Sequence, residues 1–520
     1  MPLDMTKPNL LFICCDDLND AIAGLGGHPQ AHTPNLDRLC QRGVRFTNGQ
    51  VNVPICGPSR ASFLSGLAPW TTGYYGYNFG HDPWWNNALL GAQPTFMEHA
   101  GANGYGVYGT GKIFHNGQEK QSVWNREHGH MVDWGPWTWD GKTGKNAWAG
   151  SAGHQDMPFH SNNPDTMIAS LDRVPEFPAD PKTGAHGHRG WRNWDGSPFR
   201  YASRDDRDPM NDELNGEWAA EVLSRPHEDE PFMLCLGIGR PHSPLIAPQE
   251  YFDMFPLDEI ELSPQILAGD VDDCAQIMRD GDTTTTSWGF KKFKLFYDNG
   301  GEESLRKWTQ AYLACIAFAD ACIGKALDAL WSGPHADNTY VVFTSDNGYH
   351  MGEKDFLFKN SLWERSARVP LLVAGPGCAQ GAECDQPVSL LDLYPSINEW
   401  LGLPDDVGAH ELEGHSLADL ARNPVSGNWD GPPMAVTAIG CSTPVDAGEP
   451  APAEEQHFSV RSRTHRYLRY ANGEEELYDH RDDRYEWRNI AADAGASAIK
   501  EEMQAQLRMQ VTALKDIREL

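Results

Sequence analysis

A chain of 520 residues exceeds what one ordinary core holds, so a large domain with a smaller one is expected, and 40% hydrophobic residues are enough to fill both. The formal net charge of −31 opposes nucleic acid or an anionic membrane as partner, and no stretch has the length of a membrane span. An anionic ligand would therefore need a local basic pocket built against the field of the whole chain.

Eleven cysteines, an odd number without short paired spacing, indicate neither a zinc ribbon nor a disulfide framework. The N-terminus lacks a basic, apolar, small-residue signal pattern. The expectation is a cytoplasmic protein, or a periplasmic or secreted one if a leader has been removed.

In chain order, Leu10–Cys15 reads as a buried strand that ends at Asp16-Asp17. Thr33-Pro34 opens a helix with Leu36, Leu39 and Cys40 on one face, closed by Gly43. Val44–Phe46 is extended and leads to Cys56-Gly57-Pro58-Ser59-Arg60, where Pro58 suits a first helical turn and a helix N-terminus attracts anions. Arg60 is expected to stand beside the thiol, ready for an oxyanion. Gly106–Tyr108 is a short strand before Thr-Gly-Lys-Ile-Phe-His, which carries Lys112 and His115.

From about 118 to 215 the composition turns to Trp, His, Gly, Asp and Pro without periodicity, as in a functional insertion. Phe232–Leu236 is a strand followed by His242 in Gly-Arg-Pro-His-Ser-Pro. Trp308–Trp331 is a long helix, and the strand Tyr340–Thr344 runs into Asp346-Asn347, with Lys359 twelve residues past Asn347. Val369–Ala374 is a further strand, with Pro370 at its start. Past Asn423, segments Ala435–Ile439, Phe458–Arg461 and Tyr467–Tyr470 read as antiparallel strands, and a helix starts near Ser497. Strands alternating with helices predict an α/β sandwich around a mostly parallel sheet over residues 1–425, with a small C-terminal α+β part over 426–520.

Ligands of open α/β sheets gather at the carboxyl ends of strands. Asp16, Asp17, Asp346 and Asn347 there form a hard-oxygen set for Ca²⁺ or Mg²⁺. Lys112, His115, His242 and Lys359, each in a short polar loop, together with Arg60 supply the basic pocket that the global charge demands.

The order Asp-Asp, Cys-x-Pro-Ser-Arg, Gly-Lys-x-x-His, Pro-His, Asp-Asn-Gly and then Lys resembles the formylglycine-dependent type I sulfatases over nearly the whole chain. Gly-Lys-Ile-Phe-His-Asn-Gly, Arg-Pro-His-Ser-Pro and Tyr-Ala-Asn-Gly-Glu-Glu-Glu-Leu-Tyr-Asp-His are similar to iduronate-2-sulfatase and its bacterial relatives. The resemblance implies an alkaline-phosphatase-like sandwich and a Cys56 oxidised to formylglycine by a formylglycine-generating or anaerobic sulfatase-maturing enzyme. It implies Ca²⁺, with Mg²⁺ as the alternative, on Asp16, Asp17, Asp346, Asn347 and residue 56. Arg60, Lys112, His115, His242 and Lys359 would bind sulfate and serve the proton transfers, with His242 as the leaving-group acid beside Lys359 and His115 as the base. Gly57 stands where Ala or Ser is frequent, and Asn347 where iduronate-2-sulfatase has His.

The activity implied is hydrolysis of a carbohydrate sulfate ester, on a glycosaminoglycan or algal polysaccharide fragment, with release of inorganic sulfate. A phosphonate monoester or phosphodiester hydrolase of the same superfamily is the nearest alternative, against which the Lys112/His115 pair speaks. A silent carbohydrate-binding relative is a third, against which the intact set speaks. Trp84, Trp85, Trp124, Trp134, Trp137, Trp139, Trp148, Trp191 and Trp194 are candidates to stack on sugar. Arg189 and Arg192 are candidates for a uronate or second sulfate, and His350 for the pocket border. Oligomeric state is not legible.

Overall fold

The computed structural model describes residues 7–76, 83–137, 167–280, 286–440 and 452–512, apart from positions 118, 121, 178, 180, 183–185, 194 and 228–229. Trp139, Trp148 and Trp194 lie outside the described residues.

Seven strands make the main sheet: β1 (Asn9–Asp16), β2 (Val44–Phe46), β3 (Gly106–Gly111), β4 (Phe232–Pro241), β5 (Thr339–Ser345), β6 (Leu371–Ala374) and β7 (Ala382–Cys384). Their order is β7-β2-β6-β5-β1-β4-β3. Only β6 runs against the others, antiparallel to both β5 and β2. β1, β4 and β5 are buried from end to end, which explains their unbroken apolar sequences.

Successive side chains of β1 point to opposite faces and so feed two cores. Leu11 and Ile13 meet α1 (Pro34–Arg42), α3 (Asn211–Leu223) and α4 (Trp288–Ser332). Leu10 and Phe12 meet the other face, covered by α2 (Cys56–Ser65) and α5 (Leu393–Leu401).

The second sheet is antiparallel and ordered as in sequence: β8 (Ala435–Ile439), β9 (His457–Arg461), β10 (His465–Arg469) and β11 (Glu475–Asp479). Helix α6 (Ser497–Gln510) packs on it through Met503 and Leu507, in the same hydrophobic cluster as α2 and α5. This sheet also grips the approach to α2. The Ala438 N–H donates to Asn52 O at 2.8 Å and Arg466 donates to Gln50 Oε1 at 2.8 Å.

The fold departs from the sequence reading in four places. β11, rich in glutamate, was not read as a strand; its Glu476 is buried and accepts from the Trp363 indole at 2.7 Å. Helix α4 begins at Trp288 and bends at Gly301, whose φ is 58°. β4 continues past Leu236 because Asp212 receives the Gly239 and Arg240 amides at 2.7 and 2.9 Å. Pro370 stays outside β6, which starts at Leu371.

Candidate active site

The carboxyl ends of β1, β5, β3 and β4 converge, and α2 aims its first residue at them. The Asp346 N–H donates to Cys15 O at 3.2 Å, and the Leu18 N–H donates to Ser345 Oγ at 2.9 Å, stitching the two acidic turns together. Asp17 adopts a left-handed conformation, φ 65°, and its N–H donates to Asp346 Oδ1 at 3.2 Å.

Cys56 opens α2 and is 3% exposed. Lys359 Nζ lies 3.0 Å from its Sγ, and His115 hydrogen-bonds the same sulfur. Burial alone would raise the thiol pKa, but Lys112, Lys359 and the His115 bond outweigh it and hold Cys56 well below its ordinary value. Lys112 pairs with Asp16 Oδ2 and Lys359 with Asp17 Oδ1. Burial raises Asp16, yet Lys112, His242, Lys359 and Arg60 bring it well below the usual carboxylate range. At Asp17 and Asp346 burial wins, and both are raised despite Lys359 and Arg60 beside them.

His242 donates from Nδ1 to Ser243 O at 2.6 Å, a carbonyl being only an acceptor. That leaves Nε2 facing the site, 3.9 Å from Asp17 Oδ2. His242 and Lys359, with side chains 15% and 14% exposed, are the most open of these groups.

Ligand atoms of Asp16, Asp17, Cys56 and His242 all lie within 4.8 Å of one another. Two buried oxygens at the site, Asp16 Oδ1 and Asn347 Oδ1, have no hydrogen-bond partner among the described residues. Both donors to Asp16 converge on its Oδ2, and the Asn347 amide nitrogen is spent on Asp17 Oδ1 at 2.8 Å and Gly348 O at 2.9 Å. Two orphaned oxygens beside two further carboxylates are a donor set for a hard divalent cation. The residues fit such an ion.

Other expectations are corrected. Arg60 does not face the anion pocket. Fully buried, it donates from Nε to Asp346 Oδ2 at 2.8 Å and from Nη1 to the Lys112 and Ile113 carbonyls. It positions the turn that carries Lys112 and the carboxylate of Asp346 within the donor set. His350 is 0% exposed, and its ring nitrogens meet Glu353 O at 3.2 Å and Ser361 Oγ at 2.7 Å, so it borders no pocket.

Trp84 is fully buried and stacked on Phe114 at 6.0 Å, with Trp85 edge-on against both rings. Trp84 offers no face to a sugar. Trp137 and Trp191 are likewise buried, and Trp124 packs on Phe114. Arg189 makes an exposed ion pair with Glu176 at 3.9 Å, and Arg192 donates to Gly196 O at 2.8 Å. Neither is brought to the strand ends by these bonds.

Sequence reasoning missed the role of Trp134, which joins the site through Asp16, Lys112 and His242. It also missed the Asp212–Arg240 brace. Trp134 sits in an aperiodic stretch with no strand before it, so the strand-end rule that found the other residues does not reach it.

Comparison with known proteins agrees with this geometry. The Sulfatase family model matches residues 8–403. A protein of Formosa agariphila named "Sulfatase" is 31% identical over 498 residues, 94% of this chain and 84% of the relative. The "Ulvan-active sulfatase" of the same organism is 26% identical over 522 residues, 98% of this chain and 82% of the relative. Among solved structures, the phosphonate monoester hydrolase of Agrobacterium radiobacter superposes with a TM-score of 0.69 at 20% identity, covering 97% of this chain and 95% of that one, which shows a shared fold. With its motif order intact and the family match spanning the main sheet, this chain belongs to the sulfatase family and is a sulfuric ester hydrolase.

Proposed function

We propose that the chain hydrolyses a sulfate ester of a sugar, with residue 56 acting as formylglycine and Ca²⁺ as the resident cation, Mg²⁺ being the alternative. The observation that carries this reading is the pair of orphaned oxygens, on Asp16 and Asn347, beside a Cys56 held by Lys359 and His115. The aldehyde hydrate supplies an oxygen nucleophile that can later release sulfate, and the cation supplies charge against the sulfuryl oxygens.

Asp16, Asp17, Asp346 and Asn347 hold that cation. Lys112 and Lys359 offer their ammonium groups to the sulfuryl oxygens. His242 delivers a proton from Nε2 to the departing sugar oxygen, because Nδ1 is committed to Ser243. His115, at the side chain of residue 56, takes the proton whose removal lets sulfate go. A sugar is favoured by the Formosa relative named for ulvan. The partner this reading requires is a formylglycine-generating or anaerobic maturing enzyme.

The test coexpresses the chain with such an enzyme and weighs the peptide containing residue 56. That peptide should be lighter by the difference between a thiol and an aldehyde side chain, and Cys56→Ala should lower sulfate release by about 10³-fold or more. Full activity of Cys56→Ala, or faster turnover of a phenylphosphonate ester than of an aryl sulfate, would overturn the reading.

A further inference from the structure

Trp134 is 4% exposed and touches three working groups, one through its N–H and two through its ring. Its Nε1–H donates to Asp16 Oδ2 at 3.2 Å. Its face lies 4.9 Å from Lys112 Nζ, within cation–π range. Its ring also packs on His242, centroids 5.5 Å apart at 35°. None of these contacts is needed to fill the sheet's two cores, since Trp134 belongs to neither cluster.

The indole is itself held from behind. Arg240, 1% exposed, donates to Trp134 O at 2.8 Å and Gly135 O at 3.1 Å from one nitrogen, and to Ile246 O at 2.9 Å from another. Asp212 in turn fixes the Arg240 amide at 2.9 Å. The brace runs from helix α3 through the end of β4 to the tryptophan.

We propose that Trp134 is the shared positioning residue of the site, one indole that orients the metal-ligating carboxylate Asp16, the ammonium of Lys112 and the imidazole of His242. This rests on the reading of Asp16 as a cation ligand given above. With Lys112 and the indole N–H both on Oδ2, Oδ1 is the oxygen left for the ion. Remove the N–H, and Lys112 alone is left to hold Oδ2. The ring also backs His242, whose proton the sugar needs and an activated aryl leaving group does not.

The two functions separate by substitution. Trp134→Phe keeps a ring face and loses the donor; Trp134→Leu loses both; Trp134→His restores a ring N–H. Calcium titrated calorimetrically into chelator-treated protein should bind Trp134→Phe about tenfold more weakly than wild type. Trp134→His should recover part of that loss. Trp134→Leu should lose more kcat on a sugar sulfate than on an aryl sulfate, by about tenfold or more, with KM moving less than kcat.

If Trp134→Phe does not fold, Trp134→His serves to assign the Trp134 signal in 5-fluorotryptophan-labelled wild-type protein, and that ¹⁹F signal should shift when calcium is added. Wild-type calcium affinity in Trp134→Phe, equal losses of Trp134→Leu on both esters, or a ¹⁹F signal unmoved by calcium overturns the proposal. Were wild-type protein itself to bind no calcium, the reading of the metal site would fall first, and the two failures are thereby told apart.

Discussion

Arg60 and Lys112 are both basic and both buried, yet their hydrogen bonds give them opposite duties. A guanidinium has five fixed donors, and here they spread over Asp346 and three backbone carbonyls, including Cys15 O at 3.4 Å. An ammonium is a point charge that turns freely among Asp16 and any incoming oxygen. Arg60→Ala should therefore act on the fold as much as on turnover. It takes from the buried Asp346 its guanidinium partner, a loss of about 3–5 kcal/mol that urea denaturation will read. A variant as stable as wild type would contradict the assignment. His242→Ala should do the reverse, sparing stability while lowering turnover of sugar sulfates by about 10²-fold or more and that of an activated aryl sulfate far less. Steady-state kinetics on the two substrates decides it, and equal losses would remove His242 from the acid's part.

Site residues that follow an apolar strand were legible, because a short buried strand announces where its carboxyl end lies. Asp16, Lys112, His242 and Asp346 were all found this way. What a side chain then points at depends on partners far away in sequence. Arg60 bonds carbonyls more than 50 residues distant, and nothing in Pro-Ser-Arg encodes them. His350 is three residues from Asn347, but the paired strands His350–Met351 and Leu357–Phe358 carry it into an aromatic pocket with Phe356 and Trp363. The strand junctions themselves depend on small residues. Gly237 on β4 faces the backbone of Lys112 so closely that a Cβ there would collide with its N, C and O atoms. Gly237→Ala should displace Lys112, and a shift of about 1 Å at such a group costs on the order of 10²-fold in rate. Comparing kcat with the melting curve of the variant tests this; an active, stable Gly237→Ala would show that β3 and β4 can separate without moving the site.

The two sheets meet along a buried seam of charge. Glu364, after β5, takes Arg461 of β9 at 3.1 Å and also Arg466 of β10, while Arg466 reaches Glu486 at 3.0 Å. Burial opposes the charge on Glu364, but Arg461, Arg466, His480 and Arg368 outweigh it and hold the carboxylate well below its ordinary 4.5. Glu486 is lowered as well, burial again being overcome, chiefly by His480 and Arg466. A carboxylate with a depressed folded pKa contributes stability that is complete above the unfolded value and is lost as pH falls through the folded one. Stability should thus decline as pH falls below the ordinary carboxylate range, and Glu364→Gln should flatten that limb while lowering the plateau at neutral pH. Denaturation midpoints across this range provide the measurement, and an unchanged slope would relieve Glu364 of the role. The seam has a counterpart in the main chain, where β8 and β10 grip residues 50–52 just ahead of Cys56. That grip sets a clock. The strands that bond residues 50–52 are made almost 400 residues after them, about 20–80 s of synthesis at ordinary ribosomal speed. The maturation proposed for residue 56, whose side chain is only 3% exposed in the finished molecule, has that interval in which to act.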